Sequence, residues 1–145
     1  MPKSHSSWFD NTYPALTDHG LWLKGAELNR IDPAEYEKRM CRVLIARLST
    51  CQDTAESFTH SLLYSITSRA GLFPDLGFLP PARDSQIMKQ QGVPWLLGTA
   101  TRYGPEAFNI VALSNSIVQE LLSLPALLHN SGIPLEKSRR IDDPA

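Results

Sequence analysis

Cysteine is scarce in this chain: Cys41 and Cys51 stand alone, too few for a disulfide framework. They flank a stretch that reads as a strand, so at about 3.3 Å per residue they lie roughly 30 Å apart, far beyond bridging distance. A reducing, cytoplasmic setting is expected. Long apolar runs are also missing. Nothing approaches the roughly 18 consecutive apolar residues of a membrane span, and the opening MPKSHSSWFD lacks the apolar segment of a secretory signal. Charge of one sign is lacking too. Fourteen Lys and Arg face 15 Asp and Glu, a net charge of −1, which leaves no footprint for nucleic acid or an anionic membrane. Neither GxGxxG nor GxxxxGK[ST] occurs, which argues against a dinucleotide or P-loop triphosphate site. His5, His19 and His129 have no acidic or cysteine partner at metal-ligand spacing, so no metal site is expected.

What is present is a strand–loop–helix signal. The chain's 145 residues suffice for one domain with a single core. Residues 41–50, CRVLIARLST, form a near-continuous β-branched apolar run, the pattern of a strand buried on both faces in a parallel sheet. A polar loop at residues 49–53 follows. A helix is then predicted over 54–70, with Ala55, Phe58, Leu62 and Ile66 as its apolar face and Asp53 and Glu56 as a near capping box. Gly71 supplies the stop. This is the first half of a βαβ unit, and in open α/β sheets such a loop lies at the carboxyl edge, where ligands bind.

Residues 1–40 differ in character. The first eight are polar and read as disordered; Trp8, Phe9, Tyr13, Leu16, Leu21, Trp22 and Leu23 then bring apolar weight without periodicity, so an extended arm packing on its own or a neighbouring domain is expected. Asp32 and Pro33 predict a short helix to about Arg39. Downstream, residues 73–79 read as a second strand parallel to the first, 84–91 as a helix, 94–98 (PWLLG) as a third strand and 108–113 (FNIVAL) as a fourth. Ser116 and Gln119 form a capping box for a helix over 117–128, either kinked at Pro125 or restarting there. Residues 133–135 begin a further strand or only a connection. The alternation is still running at residue 145; the segment reads as a short edge strand or, by preference, as the front of a longer protein with an unpaired apolar edge. The fold class expected is α/β, a flavodoxin-like (Rossmann-type) open parallel sheet of about four or five strands with an N-terminal arm.

The RVLIARLST strand and loop, the block FNIVALSNSIVQELLSLPALLHNSGIPL and the charged SRRIDDPA tail together resemble the N-terminal region of cobalamin-binding radical SAM proteins. The matching residues are Phe108-Asn109, Ser114, Leu121-Leu122 and Gly132-Ile133-Pro134, and the resemblance covers residues 41–145, with residues 1–40 as the arm. It implies a cobalamin-binding-type domain of a radical SAM enzyme performing methyl transfer or a related radical modification. Cobalamin is the implied cofactor here; S-adenosylmethionine and a [4Fe–4S] cluster are implied only for a downstream radical SAM domain, in the same protein or a partner chain. No CxxxCxxC is present, so this segment cannot build the cluster and is expected to be catalytically silent alone. The Asp-x-His-x-x-Gly of the family is also missing. Where its histidine would ligate cobalt, the loop reads Ser49-Thr50-Cys51-Gln52-Asp53, while Asp18-His19-Gly20 lies before the first strand.

The candidate cofactor-binding residues are Ser49, Thr50, Cys51, Gln52 and Asp53 in the first loop, and Ser114, Asn115 and Ser116 in the loop after the fourth predicted strand. Their hydroxyls and the following helix amides suit an anion or a nucleotide tail. A helix N-terminus would lower the Cys51 pKa. Glu56, His60 and Tyr64 fall at one-turn spacing and read as the solvated side of their helix. Arg102 and Tyr103 are further edge candidates by position. The competing reading is a degenerate Rossmann domain that binds no cofactor and serves as a structural or docking module. A free-standing response regulator lacks its acidic pair here, and a flavodoxin its aromatic flanks.

Overall fold

A computed structural model describes residues 2–25, 29–54 and 58–140. Val43-Leu44-Ile45-Ala46 has no polar side chain to offer either face, so a strand here must be covered on both. It is. β1 (Arg42–Arg47) lies at the centre of the sheet, with these four residues at most 6% exposed. β2 (Phe73–Phe78) and β3 (Ile110–Ser114) run parallel to it on either side, giving the order β2-β1-β3. Side-by-side residues in a parallel sheet share a face. Ile45 beside Leu76 and Ala112 therefore builds one core layer, and Leu44 beside Val111 the other. Each fully buried Leu, Ile or Phe stabilises such a layer by about 1.5–3 kcal/mol.

The sheet is thus open, all-parallel and three-stranded among the described residues, not of about four or five strands. The predicted third strand is the reason. In residues 94–98 the apolar content reflects burial without pairing: Leu96 and Leu97 are at most 1% exposed, yet their neighbours' amides turn elsewhere. The Leu96 N–H donates to Ser131 Oγ (3.0 Å), the Trp95 N–H to the Asn130 carbonyl (3.2 Å) and the Gly98 N–H to the Tyr103 carbonyl (2.9 Å). Pro94 has no N–H to give. Residues 133–135 are a connection.

The amino-terminal segment is helical from α1 (Ser6–Thr12) onwards, not disordered at its start, and continues in 3-10 turns to Leu23. Phe9, Leu16, Trp22 and Leu23 enter the same core layer as Ile45 and Leu76. After β1 come α2 (Cys51–Thr54) and α3 (Phe58–Arg69). The cap expected at Asp53 is supplied by Thr50, whose hydroxyl donates to the Asp53 carboxylate (2.7 Å) and accepts from its amide (3.4 Å); Ala55 and Glu56 lie outside the described residues. α3 presents the opposite face to the one its apolar spacing predicts. His60, Leu63 and Tyr64 meet the core, while Phe58 (77% exposed), Leu62 and Ile66 face outward.

α4 (Ala82–Gln90) forms as expected. The 117–128 pattern resolves into a 3-10 turn, Val118–Ser123, and a restart at α5 (Leu124–Asn130) with Pro125 in its first turn. The short helix after Asp32 spans only Pro33–Glu35, with Asp32 accepting from the Ala34 N–H (2.9 Å).

Two buried carboxylates fasten these parts together. Asp84 on α4 accepts from the Thr17 amide and hydroxyl (2.9 Å each) and from Trp22 Nε1 (2.8 Å). Asp75, in the middle of β2, accepts from Asn29 Nδ2 (2.7 Å), Thr101 Oγ1 (2.7 Å) and the amides of Ala100 (3.0 Å) and Thr101 (3.1 Å). Burial pushes the Asp75 carboxyl up, and the Ala100, Thr101 and Leu76 amides and the Thr101 hydroxyl oppose it. Residue 98 must be glycine, because a Cβ there would lie 2.2 Å from an Asp75 oxygen. Among the described residues no helix is long and apolar enough to cross a membrane.

Candidate functional site

In the order β2-β1-β3, the chain leaves β1 toward one flank of the sheet and enters β3 on the other. The carboxyl ends of β1 and β3 therefore diverge, and such a switch point opens a crevice in doubly wound sheets. A cleft of about 540 Å³ lies there. Arg47, the last residue of β1, enters it from one side with Ser49, Thr50 and Asp53; Ser116 and Glu120 line the other.

The register explains the meeting. Arg47 pairs with Ser114, so both exit loops start at the same height, and the Leu48 N–H still donates to the Ser114 carbonyl (3.2 Å). Arg47 is only 9% exposed and must find a counter-charge inside the cleft. Its Nη2 donates to Ser116 Oγ and lies 3.4 Å from Glu120 Oε1. Glu120 also accepts from Ser49 Oγ and, at 2.6 Å, from the Ser116 N–H. The expected Ser116–Gln119 capping box is therefore replaced: Glu120, one residue on, reaches back to the amide, and Ile117 stands at the start of the 3-10 turn. Burial pushes Glu120 up, but the Ser49 hydroxyl, the Ser116 amide and the Arg47 charge together carry it below the usual carboxylate range.

His60 lies over the same strand end. It is 1% exposed, stacked on Phe78 with ring centroids 5.5 Å apart. Burial lowers its pKa to about 4, against a hydrogen bond at the Ile45 backbone and with the Arg47 charge adding to the lowering. The imidazole is neutral near pH 7 and is core, not solvated surface.

Of the eight sequence candidates, Ser49, Thr50, Asp53 and Ser116 come together in this cleft. Cys51 and Gln52 turn the other way, into a pocket of about 330 Å³ that Thr50 shares and that Thr17, Asp18 and Trp22 close from the amino-terminal segment. Asp18 and His19 hold left-handed backbone there (φ 47° and 52°), a conformation that costs energy in residues with a Cβ. Burial pushes the Cys51 thiol up, not down as its place before a helix suggests, because the four-residue turn at Cys51–Thr54 offers little dipole and desolvation dominates. Ser114 ends β3 beside Arg47, and Asn115 is exposed, its side-chain amide directed to the Ile117 carbonyl (3.4 Å). Arg102 and Tyr103 pack elsewhere: the Arg102 guanidinium lies 4.7 Å over the Phe9 ring, and Tyr103 meets Tyr36 edge-on.

Sequence reasoning missed Arg47 and Glu120 and placed His60 on the solvated side of its helix. Arg47 carried a readable signal, a charge closing an otherwise apolar strand. Glu120 carried none, since it sat in a pattern that read as an ordinary helix surface, and the one-turn spacing of His60 with Tyr64 marked a shared face without showing that it turns inward.

No family model matches this chain, and no curated protein or solved structure is significantly similar to it. The donor set itself is the remaining guide. Four hydroxyls and one arginine line the cleft beside the carboxylates of Asp53 and Glu120, and the hydroxyls and the arginine suit a phosphate ester or an amide-bearing ligand periphery. The loop offers no imidazole for cobalt, and His60 is sealed against Phe78. Among the described residues, no group of three or more His, Cys, Asp and Glu side chains is placed to hold a metal ion.

Proposed function

We propose that this chain is a ligand-binding Rossmann-type domain of the cobalamin-binding kind, serving a radical SAM enzyme. The observation that carries the reading is the convergence of Ser49, Thr50 and Ser116 on one cleft at the point where β1 and β3 part. Hydroxyls there suit the phosphate and amide groups around the corrin and its nucleotide tail, with cobalt left unligated by this loop. Cobalamin, when bound, supplies a cobalt-held alkyl group for transfer. The chain's own residues would bind and orient the ligand and provide no nucleophile or acid–base pair. S-adenosylmethionine and the [4Fe–4S] cluster would belong to a downstream radical SAM domain, of the same protein or a partner chain, in a reducing, cytoplasmic compartment.

Titration with hydroxocobalamin, followed by absorbance and gel filtration, tests the reading. Co-elution near one equivalent with no histidine-ligated spectrum is expected, and weakening by Ser49→Ala and Ser116→Ala should accompany it. A folded, monodisperse protein that leaves all cobalamin in the low-molecular-weight fraction would sink the cofactor assignment.

One observation favours a second reading, a structural or docking module without cofactor. Phe58, Leu62 and Ile66 form an apolar stripe on the outer face of α3, and apolar stripes left to water commonly mark contact surfaces. Under that reading these three side chains, and not the cleft, carry the function.

A further inference from the structure

The arginine of the cleft already has a negative charge of the protein's own beside it, and this suggests how the cleft is controlled. Arg47 is nine-tenths buried, and its Nη2 is engaged by Ser116 and Glu120. Its Nε, buried as well, has no hydrogen-bond partner among the described residues. The fork of a guanidinium is matched by a bidentate oxyanion, and a single carboxylate oxygen at 3.4 Å leaves that capacity unused. The segment carrying Glu120 is held lightly. It is a 3-10 turn without a side-chain cap, and Ile117, Val118, Leu121 and Leu122 all face solvent, Leu122 at 82% exposure. Beside the Arg47–Ser116 hydrogen bond at its start, Glu120 ties it to the sheet edge through Ser49 Oγ and Arg47.

We propose that Glu120 is a displaceable internal anion: a ligand's phosphate group takes its place on Arg47, Ser49 and Ser116, and residues 117–123 swing away to admit it. An anion arriving on the Arg47 fork satisfies Nε as well as Nη2, and the hydroxyls of Ser49 and Ser116 become donors to it. Binding and opening are then one event, because the group that closes the cleft is the group that competes with the ligand.

This proposal rests on the cleft being a ligand site, not on the ligand being cobalamin. The test is a calorimetric titration of the full chain with inorganic phosphate and, separately, with dimethyl phosphate, which distinguishes a free phosphate from a phosphodiester. Glu120→Gln keeps the shape and removes the competing charge, so at least one of the two probes should bind it about tenfold more tightly than it binds the native chain. Adding Arg47→Lys to that variant keeps a positive charge but removes the fork, and the gain should vanish. Proteolytic cleavage within residues 117–123 should quicken when the probe is present. The proposal is overturned if Glu120→Gln binds neither probe more tightly, or if the double variant keeps the gain. Should Arg47→Lys fail to fold, Ser49→Ala in the Glu120→Gln background must abolish most of the gain instead. Phosphate binding without cobalamin co-elution would remove only the cofactor assignment. Cobalamin co-elution with no response to Glu120→Gln would remove only the displaceable anion.

Discussion

The two flanks of β1 are built on opposite principles. On the β2 side every strand residue is buried, and two carboxylates, Asp75 and Asp84, are ringed by donors from the amino-terminal segment and the 98–103 loop. On the β3 side the strand is half exposed, its exit segment shows apolar side chains to water, and Glu120 and Ser116 hold it to Ser49 and Arg47. A buried carboxylate with all its donors satisfied fixes a single arrangement; a carboxylate at an open cleft with a partly used arginine allows two. Under the proposed reading the first flank is scaffold and the second is the one a ligand would engage.

The sharpest way to break this contrast is Asp75→Ala. It would strand the Thr101 hydroxyl and amide and the Ala100 amide, while Asn29 Nδ2 would keep only Thr99 Oγ1. At about 1–3 kcal/mol for each buried donor left unpaired, a loss of about 4 kcal/mol or more is expected, and denaturant melts should show a largely unfolded chain. Glu120→Ala on the other flank takes the counter-charge from Arg47 and should also lower stability, but the melt should stay cooperative because that side opens to water.

Next in size is an acid sensitivity centred on His60. Its folded pKa of about 4 lies below the ordinary 6.5, so the folded state refuses a proton that the unfolded chain accepts. The stability from the neutral imidazole is fully present above about pH 6.5 and is lost as pH falls toward 4, by about 3 kcal/mol over that window at 1.4 kcal/mol per unit. His60→Leu should flatten this part of a pH-dependent melting curve; an unchanged slope would mean the imidazole is not the group responsible.

Asp84→Ala should cost less than Asp75→Ala, about 2 kcal/mol, because Thr17 is partly exposed and can turn to water. A blue shift in Trp22 emission should report its freed indole N–H, since the ring stays buried. The smallest effect is expected on the outer face of α3: Phe58→Ser with Leu62→Ser should move stability by no more than about 0.5 kcal/mol per site, as for other exposed positions. If those changes abolish an association measurable by gel filtration while the cleft variants do not, the docking reading gains over the ligand reading.

Much of this could be read from residue patterns. The strands at 42–47, 73–78 and 110–114 and the helix at 82–90 followed from apolar runs and stop signals, while the order β2-β1-β3 did not. The same argument misread PWLLG, since a buried apolar stretch looks alike whether its amides pair with a strand or with the Ser131 side chain. Periodicity likewise named Phe58, Leu62 and Ile66 as the inner face of α3, yet the helix turns His60 inward, where Phe78 offers a stacking partner. A single sequence records which side chains share a helical face but not which face meets the sheet.

At the site the division is similar. The hydroxyls of Ser49, Thr50 and Ser116 were legible, because polar residues directly after buried strands must lie at the carboxyl edge of a parallel sheet. By itself the amino-acid sequence thus determined an α/β chain with a polar edge after its first and last strands. Only the tertiary structure decided that Arg47 closes β1 inside a cleft, that Glu120 crosses more than 70 residues of chain to meet it, and that the loop's Cys51 turns to a different pocket. Those choices depend on register and on the cost of leaving a buried charge unpaired, and neither is written in any local stretch of residues.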